Sequence, residues 1–171
     1  MRVSALLADK GTANPAAGTL NLLNVGWVQT TLVTHPMAPG ALITPPHAVA
    51  VFFEAEHQFC NRPIELVLAL LDEDARPVKV PNPAGAQEIR IASVTTIPSP
   101  AMAPLASPGT GNALIDVFPG LMIPPGSYRW NVTLGGEQGE DWFAAFRVLP
   151  APQAPTLTFG AGPQGPPADP S

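Results

Sequence analysis

The chain has few charged residues and a single cysteine, and each shortage excludes a class of protein. Asp, Glu, Lys and Arg make up 12% of its 171 residues, about half the share of an average globular protein. Because 46% of the residues are hydrophobic, the low charge does not indicate wholesale disorder. The one cysteine, Cys60, excludes an internal disulfide and a zinc site built from several cysteines.

The sequence also lacks long apolar runs and an excess of basic residues. No run approaches the roughly 18 residues that a membrane-spanning helix needs, and Asp9 and Lys10 interrupt the run near the amino terminus. We therefore expect no secretory signal and no membrane partner, and a protein assembled in the cytoplasm. Eight basic against thirteen acidic residues give a net charge of −5. Without a positive field, binding to nucleic acid is not expected.

Turn-forming residues divide most of the chain into short segments of strand character. The 23 prolines and 15 glycines leave little room for long helices. Within 128–134, the apolar residues recur at period two, as in a strand with one buried face. About eight or nine such segments, with turn signals roughly every 8–15 residues, predict an antiparallel two-sheet β-sandwich. We assign residues 1–149 to this domain, which is immunoglobulin-like or C2/jelly-roll-like.

One predicted strand, 64–71, is apolar on both faces. Ile64, Leu66, Leu68 and Leu70 alternate with Glu65, Val67, Ala69 and Leu71. Such a strand is typically central in its sheet and covered on both sides. The polar turn at 72–77 predicts a hairpin that joins it to 78–80.

Residues 150–171 differ in composition from the rest of the chain. They contain seven prolines and three glycines, and Asp169 is their one charged residue. This composition predicts an extended arm without a core of its own. Ordering each backbone residue costs about 1–2 kcal/mol, so such an arm needs a surface that holds it. Leu157 and Phe159 share one face of a short alternating segment that could join a sheet edge, in the same subunit or in a neighbour.

A second Pro-rich stretch lies within the predicted domain, at 98–108. Its prolines cannot donate a regular ladder of hydrogen bonds, so we expect a loop or an extended edge. Met102 and Leu105 are its large apolar residues. They are candidate partner contacts second to Leu157 and Phe159.

Residues that could carry catalysis or hold a metal ion are scattered. Cys60 would need a base such as His57 and a third residue to orient that base, and no third residue is evident. The acidic run 72–74 could attract Ca²⁺, but calcium takes six to eight oxygen ligands and the only other acidic loop is 137–141. We therefore predict a non-enzymatic protein with no catalytic residue, no metal ion and no cofactor.

The three tryptophans allow a binding function of another class. Trp27, Trp130 and Trp142 could form an exposed platform on which a sugar ring stacks. Trp130 shares its strand face with Tyr128 and Val132, and this favours a place in the core instead.

Several motifs resemble a small β-sandwich domain family of actinobacteria and their phages. Leu6-Leu7-Ala8-Asp9, a Gly-containing loop and a segment from Thr19 to Gly26-Trp27 resemble the two opening strands of that family. The family also has counterparts of Asn61-Arg62-Pro63, Leu70–Asp74, Pro124–Trp130 and Trp142–Val148. The resemblance covers roughly residues 3–149. That family has no established function, so the resemblance implies a fold and assigns no site residues.

The composition and the arm together predict a virion component. A sequence heavy in alanine, proline and glycine fits a high-GC host or its phage. We expect a capsid decoration or minor capsid protein that acts in the virion, with the major capsid protein, copies of itself or both as partners. The alternatives are a soluble module that binds a carbohydrate or host protein, and a phage tail or connector component.

Overall fold

The computed structural model describes residues 1–14, 19–82, 85–99 and 107–152. In these ranges the chain is all-β, with a single short 3-10 helix at His57–Phe59. The strands are β1 (Arg2–Asn14), β2 (Thr19–Val25), β3 (Gln29–Thr31), β4 (Val33–Thr34), β5 (Leu42–Ile43), β6 (His47–Ala55), β7 (Pro63–Asp72), β8 (Lys79–Asn82), β9 (Gly85–Glu88), β10 (Arg90–Thr96), β11 (Gly109–Val117), β12 (Gly126–Leu134) and β13 (Phe143–Leu149). The all-β prediction is thereby confirmed.

Two large sheets organise these strands. One has four strands in the order β11-β6-β1-β2, and the other has five in the order β10-β7-β12-β13-β3. Neighbours in both sheets run antiparallel, except that β13 pairs with β3 in parallel. Two small ladders, β4–β5 and β8–β9, extend from the connections.

Both sheets contribute to one hydrophobic core. Val49, Val51 and Phe53 alternate along β6, and the matching face of β12 carries Trp130 and Val132. Trp130 is fully buried, as its shared face with Tyr128 and Val132 predicts. The strand that is apolar on both faces, β7, lies between β10 and β12, so its predicted central position is confirmed.

The predicted hairpin between 64–71 and 78–80 forms at its turn and at its first pairs. An Asp72 carboxylate oxygen accepts hydrogen bonds from the backbone N–H groups of Asp74 (3.0 Å) and Arg76 (2.9 Å). Beyond the turn, Leu71 bridges Pro77 and the Val78 N–H donates to the Leu70 carbonyl at 2.9 Å. After these contacts β8 pairs with β9, and β10 forms the long ladder with β7. β10 places Ile91 opposite Leu68, and both Ile91 and Val78 pack against the core.

The β1–β2 hairpin folds over the outer side of its own sheet. Gly11 of β1 packs so closely on Leu114 of β11 that an added Cβ would lie 2.7 Å from its methyl groups. Leu114 is on the side opposite the core because the next residue, Ile115, faces the core. On that same outer side, Ala48 and Ala50 have no exposed surface. The hairpin therefore forms a partial second layer.

Candidate functional site

A groove lies between this hairpin and the outer side of the four-stranded sheet. Its volume is about 610 Å³, and Thr19 and Leu20 of β2 form its wall on the hairpin side. Phe52, which is 37% exposed, contributes an apolar surface. Arg2 and Glu54 stand opposite each other on β1 and β6 and place both signs of charge at one end. The groove thus combines an apolar contact with charges that can orient a partner.

Further apolar side chains are exposed near the groove and on the hairpin. Leu6 is 40% exposed and lies diagonally across β1 and β6 from Phe52, because Leu6 pairs with Ala50. Leu23 and Val25 on β2 are 65% and 44% exposed. Large contiguous patches of exposed apolar residues are a common feature of protein-binding surfaces. We call Leu6 and Phe52 the outer apolar surface.

A second pocket, of about 400 Å³, opens beside Trp27. Asp9, Asn24 and Gln29 contribute polar groups to its lining. The Asn24 amide donates a hydrogen bond of 2.9 Å to the Asp9 carboxylate, which holds both side chains in place. Asn24 has a φ of 49°, the left-handed region that asparagine tolerates better than most residues.

His47 lies at the buried end of this pocket, and its neighbours select one neutral tautomer. The Trp130 indole N–H, which can only donate, points at His47 Nε2 across 3.4 Å. Nε2 is therefore the acceptor, and Nδ1 carries the proton and donates to the Pro45 carbonyl at 3.1 Å. Burial lowers the pKa of His47 below its ordinary value, while the Pro45 hydrogen bond and the Asp9 charge oppose this shift.

The three tryptophans do not form one exposed platform. Trp130 and Trp142 are buried, with 0% and 6% of their surface exposed. Trp27 is half-buried, and its ring lies edge-on to His47 and Phe146 at centroid distances of 5.6 and 5.9 Å. Of the three tryptophans, Trp27 is the one that lines the pocket described above.

The other candidate groups take part in local contacts. The thiol of Cys60 is buried and approaches the Glu56 carbonyl at 3.9 Å, whereas His57 is exposed. In the acidic turn, Asp74 forms an ion pair of 3.2 Å with Arg76. Within the described residues, no three His, Cys, Asp or Glu side chains are grouped as a metal site would require.

The residues predicted as partner contacts all lie outside the described ranges. These are Met102, Leu105, Leu157 and Phe159, and only 150–152 of the predicted arm are described. Sequence reasoning missed Leu6 and Phe52. Their signal was the doublets Leu6-Leu7 and Phe52-Phe53, because two consecutive apolar residues in a strand place one on each face.

The described residues form an all-β protein with apolar side chains exposed on one sheet. Comparison with known proteins adds no relative: neither a family model, nor a curated protein, nor a solved structure matches the chain. Within the described ranges, no helix has the length and apolar character needed to cross a membrane.

Proposed function

We propose that this chain is a non-enzymatic structural protein of a phage virion, in which it serves as a capsid decoration or minor capsid protein. In this proposal the two large sheets are the layers of a β-sandwich, and residues 150–171 form an extended arm. The shared core supports the sandwich, because alternate residues of β6 and β12 bury their side chains together. The composition and the family resemblance are the reasons for placing the protein in a phage.

The outer apolar surface is the observation on which the proposed binding role depends. Phe52 and Leu6 are large apolar residues left exposed on one sheet, beside a groove that carries Arg2 and Glu54. Removing apolar surface from water contributes about 25 cal/mol per Å². A standard interface buries about 800 Å² on each partner, which is more than this surface offers alone.

The arm would supply the remaining contact in this proposal. Leu157 and Phe159 would dock on a neighbouring subunit, with Met102 and Leu105 as further contacts. Because the arm is covalently linked to the domain, its binding adds to that of the sheet at a high effective concentration.

The direct test measures the protein in purified particles. Mass spectrometry should find it at a copy number near that of the shell protein, and its absence from particles would reject the proposal. Binding of the full chain to shells without it should then fall at least tenfold for Phe52→Ser. The matched control is Val28→Ser, which changes an apolar residue of 68% exposure outside the outer apolar surface and should bind normally.

The contribution of the arm needs a separate comparison. The full chain with Leu157→Ser and Phe159→Ser should fold normally and bind shells more weakly than the unchanged chain. Binding that equals that of the unchanged chain would reject the arm as an anchor while leaving the role of the outer apolar surface intact.

A second candidate function follows from the pocket beside Trp27. Carboxylate and amide groups next to an aromatic ring are the groups with which proteins bind sugars, and Asp9, Gln29 and Trp27 line this pocket. Glycan-array binding by the chain, lost in Gln29→Ala and kept in the exposed control His57→Gln, would favour this function. No binding on the array would remove it.

A further inference from the structure

The outer edge of β10 has no partner strand among the residues that the structure describes. β10 is the last strand of the five-stranded sheet and pairs with β7 on its other side. Val94, near its middle, is 69% exposed. Natural edge strands are usually protected by charges, prolines or bulges, because an open edge pairs readily with another strand. β10 has one charged residue, Arg90 at its start, and neither proline nor glycine.

The other sheet ends in the described ranges are less suited to pairing. β3 has only three residues, and β2 is distorted where Asn24 adopts a positive φ. β11 carries Asp116, and the β1–β2 hairpin packs on its Leu114. β10 is thus a long, regular edge whose sequence favours extended structure, with Ile91, Val94, Thr95 and Thr96 all β-branched.

Hydrogen bonds at both ends of β10 show which peptide groups point away from β7. The Ile89 carbonyl accepts from Leu70 N–H at 3.0 Å, and the Ile97 carbonyl accepts from Asn61 N–H at 2.8 Å. Because backbone groups alternate in direction along a strand, the odd-numbered residues point towards β7. The N–H and C=O groups of Arg90, Ala92, Val94 and Thr96 therefore point to the open edge.

We propose that this edge pairs antiparallel with the same edge of a second copy, about a two-fold axis at Ser93. The four outward-pointing residues are symmetric about Ser93. Ala92 would face Val94 of the second copy, and Arg90 would face Thr96. Each of these pairs exchanges two hydrogen bonds, so the dimer gains about eight.

The side chains permit this register. Arg90 meets an uncharged threonine, so no like charges face each other, and Val94 packs on the small side chain of Ala92. At the axis, two copies of Ser93 form the closely spaced, non-hydrogen-bonded pair, in which a small side chain fits. Such a symmetric contact is self-complementary and joins two five-stranded sheets into one.

This dimer depends on the geometry of β10 and not on the proposed virion role. It would provide a contact between copies in a particle, but it forms in the isolated chain as well. The test therefore uses purified full-length protein without shells, so that failure of the dimer and failure of the virion role are separate results.

A cysteine at the axis tests the register. In the proposed pair, the Cα atoms of residue 93 lie about 4.5 Å apart, within the range that a disulfide spans. Ser93→Cys should form a disulfide-linked dimer at least ten times faster than Thr96→Cys, the control on the same strand. The two copies of residue 96 would be about 20 Å apart. Equal rates would overturn the proposal, because they would reflect random collision.

A proline at 94 tests the edge without disturbing the sheet. The Val94 N–H points away from β7, so Val94→Pro removes an edge donor and leaves the β7 ladder complete. Sedimentation equilibrium should show a dimer for the unchanged chain and a monomer for Val94→Pro, with the same circular dichroism. Val94→Lys, which adds a charge to the edge, should also be monomeric. It replaces the proline variant in this test if that variant does not fold.

Three results would overturn the proposal. One is a monomeric unchanged chain at concentrations of about 100 μM, since specific dimers with affinities in the micromolar range would be evident there. The second is a dimer that Val94→Lys leaves intact, which would place the contact elsewhere. The third is a monomer whose Ser93→Cys thiol is protected from a soluble reagent, which would show that another segment of the same chain covers the edge.

Discussion

Strands β12 and β6 are both central in their sheets, but they distribute apolar residues differently. β12 places Trp130 and Val132 in the core and polar residues such as Asn131 on its other face. β6 is apolar on both faces, with Phe53 in the core and Phe52 on the outer side. The hydrophobic core therefore buries all the large apolar side chains of β12. The apolar side chains on the outer side of β6 need cover from another element. The hairpin gives that cover to Ala50 and leaves Phe52 partly exposed.

The largest expected effect on the free energy of unfolding is the difference between substitutions on the two faces of β6. Phe53→Ala should lower the free energy of unfolding by about 3–5 kcal/mol, because it leaves a cavity in the core. Phe52→Ala should lower it by only about 1–2 kcal/mol, since that side chain is 37% exposed and leaves no enclosed cavity. Urea denaturation of both variants measures the difference. Equal losses would mean that the outer side is as closely packed as the core.

An intermediate effect is expected where the hairpin packs on its sheet. Gly11→Val would bring a branched side chain against the methyl groups of Leu114 and Leu22. Overpacking of this kind costs about 1–3 kcal/mol. The control, Thr12→Val, changes an exposed neighbour and should alter the free energy of unfolding by less than about 0.5 kcal/mol. A stable Gly11→Val protein would contradict the close contact between hairpin and sheet.

The smallest effect concerns His47, which lies between the two sheets. Its pKa is lowered in the folded state, so the unfolded chain binds a proton at higher pH than the folded chain does. The stability from this group is complete above the unfolded pKa of about 6.5 and declines as the pH falls below it. Protonation would also place a donor at Nε2 against the Trp130 indole N–H.

Urea denaturation between pH 8 and pH 5.5 measures this slope before carboxylates titrate. The free energy of unfolding should fall in the unchanged chain and should fall less in His47→Gln. The control His57→Gln removes an exposed histidine and should retain the slope of the unchanged chain. If the slope disappears in His57→Gln instead, the pH dependence comes from His57 and the prediction for His47 is wrong.

Local patterns predicted the elements of the fold better than their arrangement. The alternation around Trp130 located β12. The hairpin after β7 was predicted correctly near its turn, but the long ladder of β7 with β10 was not predicted, because that pairing joins segments separated by another ladder. No local signal contains that information.

The candidate site was less accessible to sequence reasoning than the fold. The doublet Phe52-Phe53 shows that one ring must leave the core, but it does not show which neighbour covers it. Residue composition directed attention to Leu157 and Phe159, which lie outside the described ranges. The pocket beside Trp27 joins Asp9, Gln29 and His47 from three strands, a juxtaposition that only folding produces.

The sequence by itself determined that the chain is all-β and which face of β12 is buried. Both follow from short-range physics, since proline and glycine prevent long helices and alternation at period two separates the faces of a strand. Tertiary structure alone decided that Ala50 is covered, that Phe52 is exposed and that β10 ends its sheet. These outcomes depend on how the β1–β2 hairpin and distant strands pack, and packing joins residues whose separation along the chain carries no local signal.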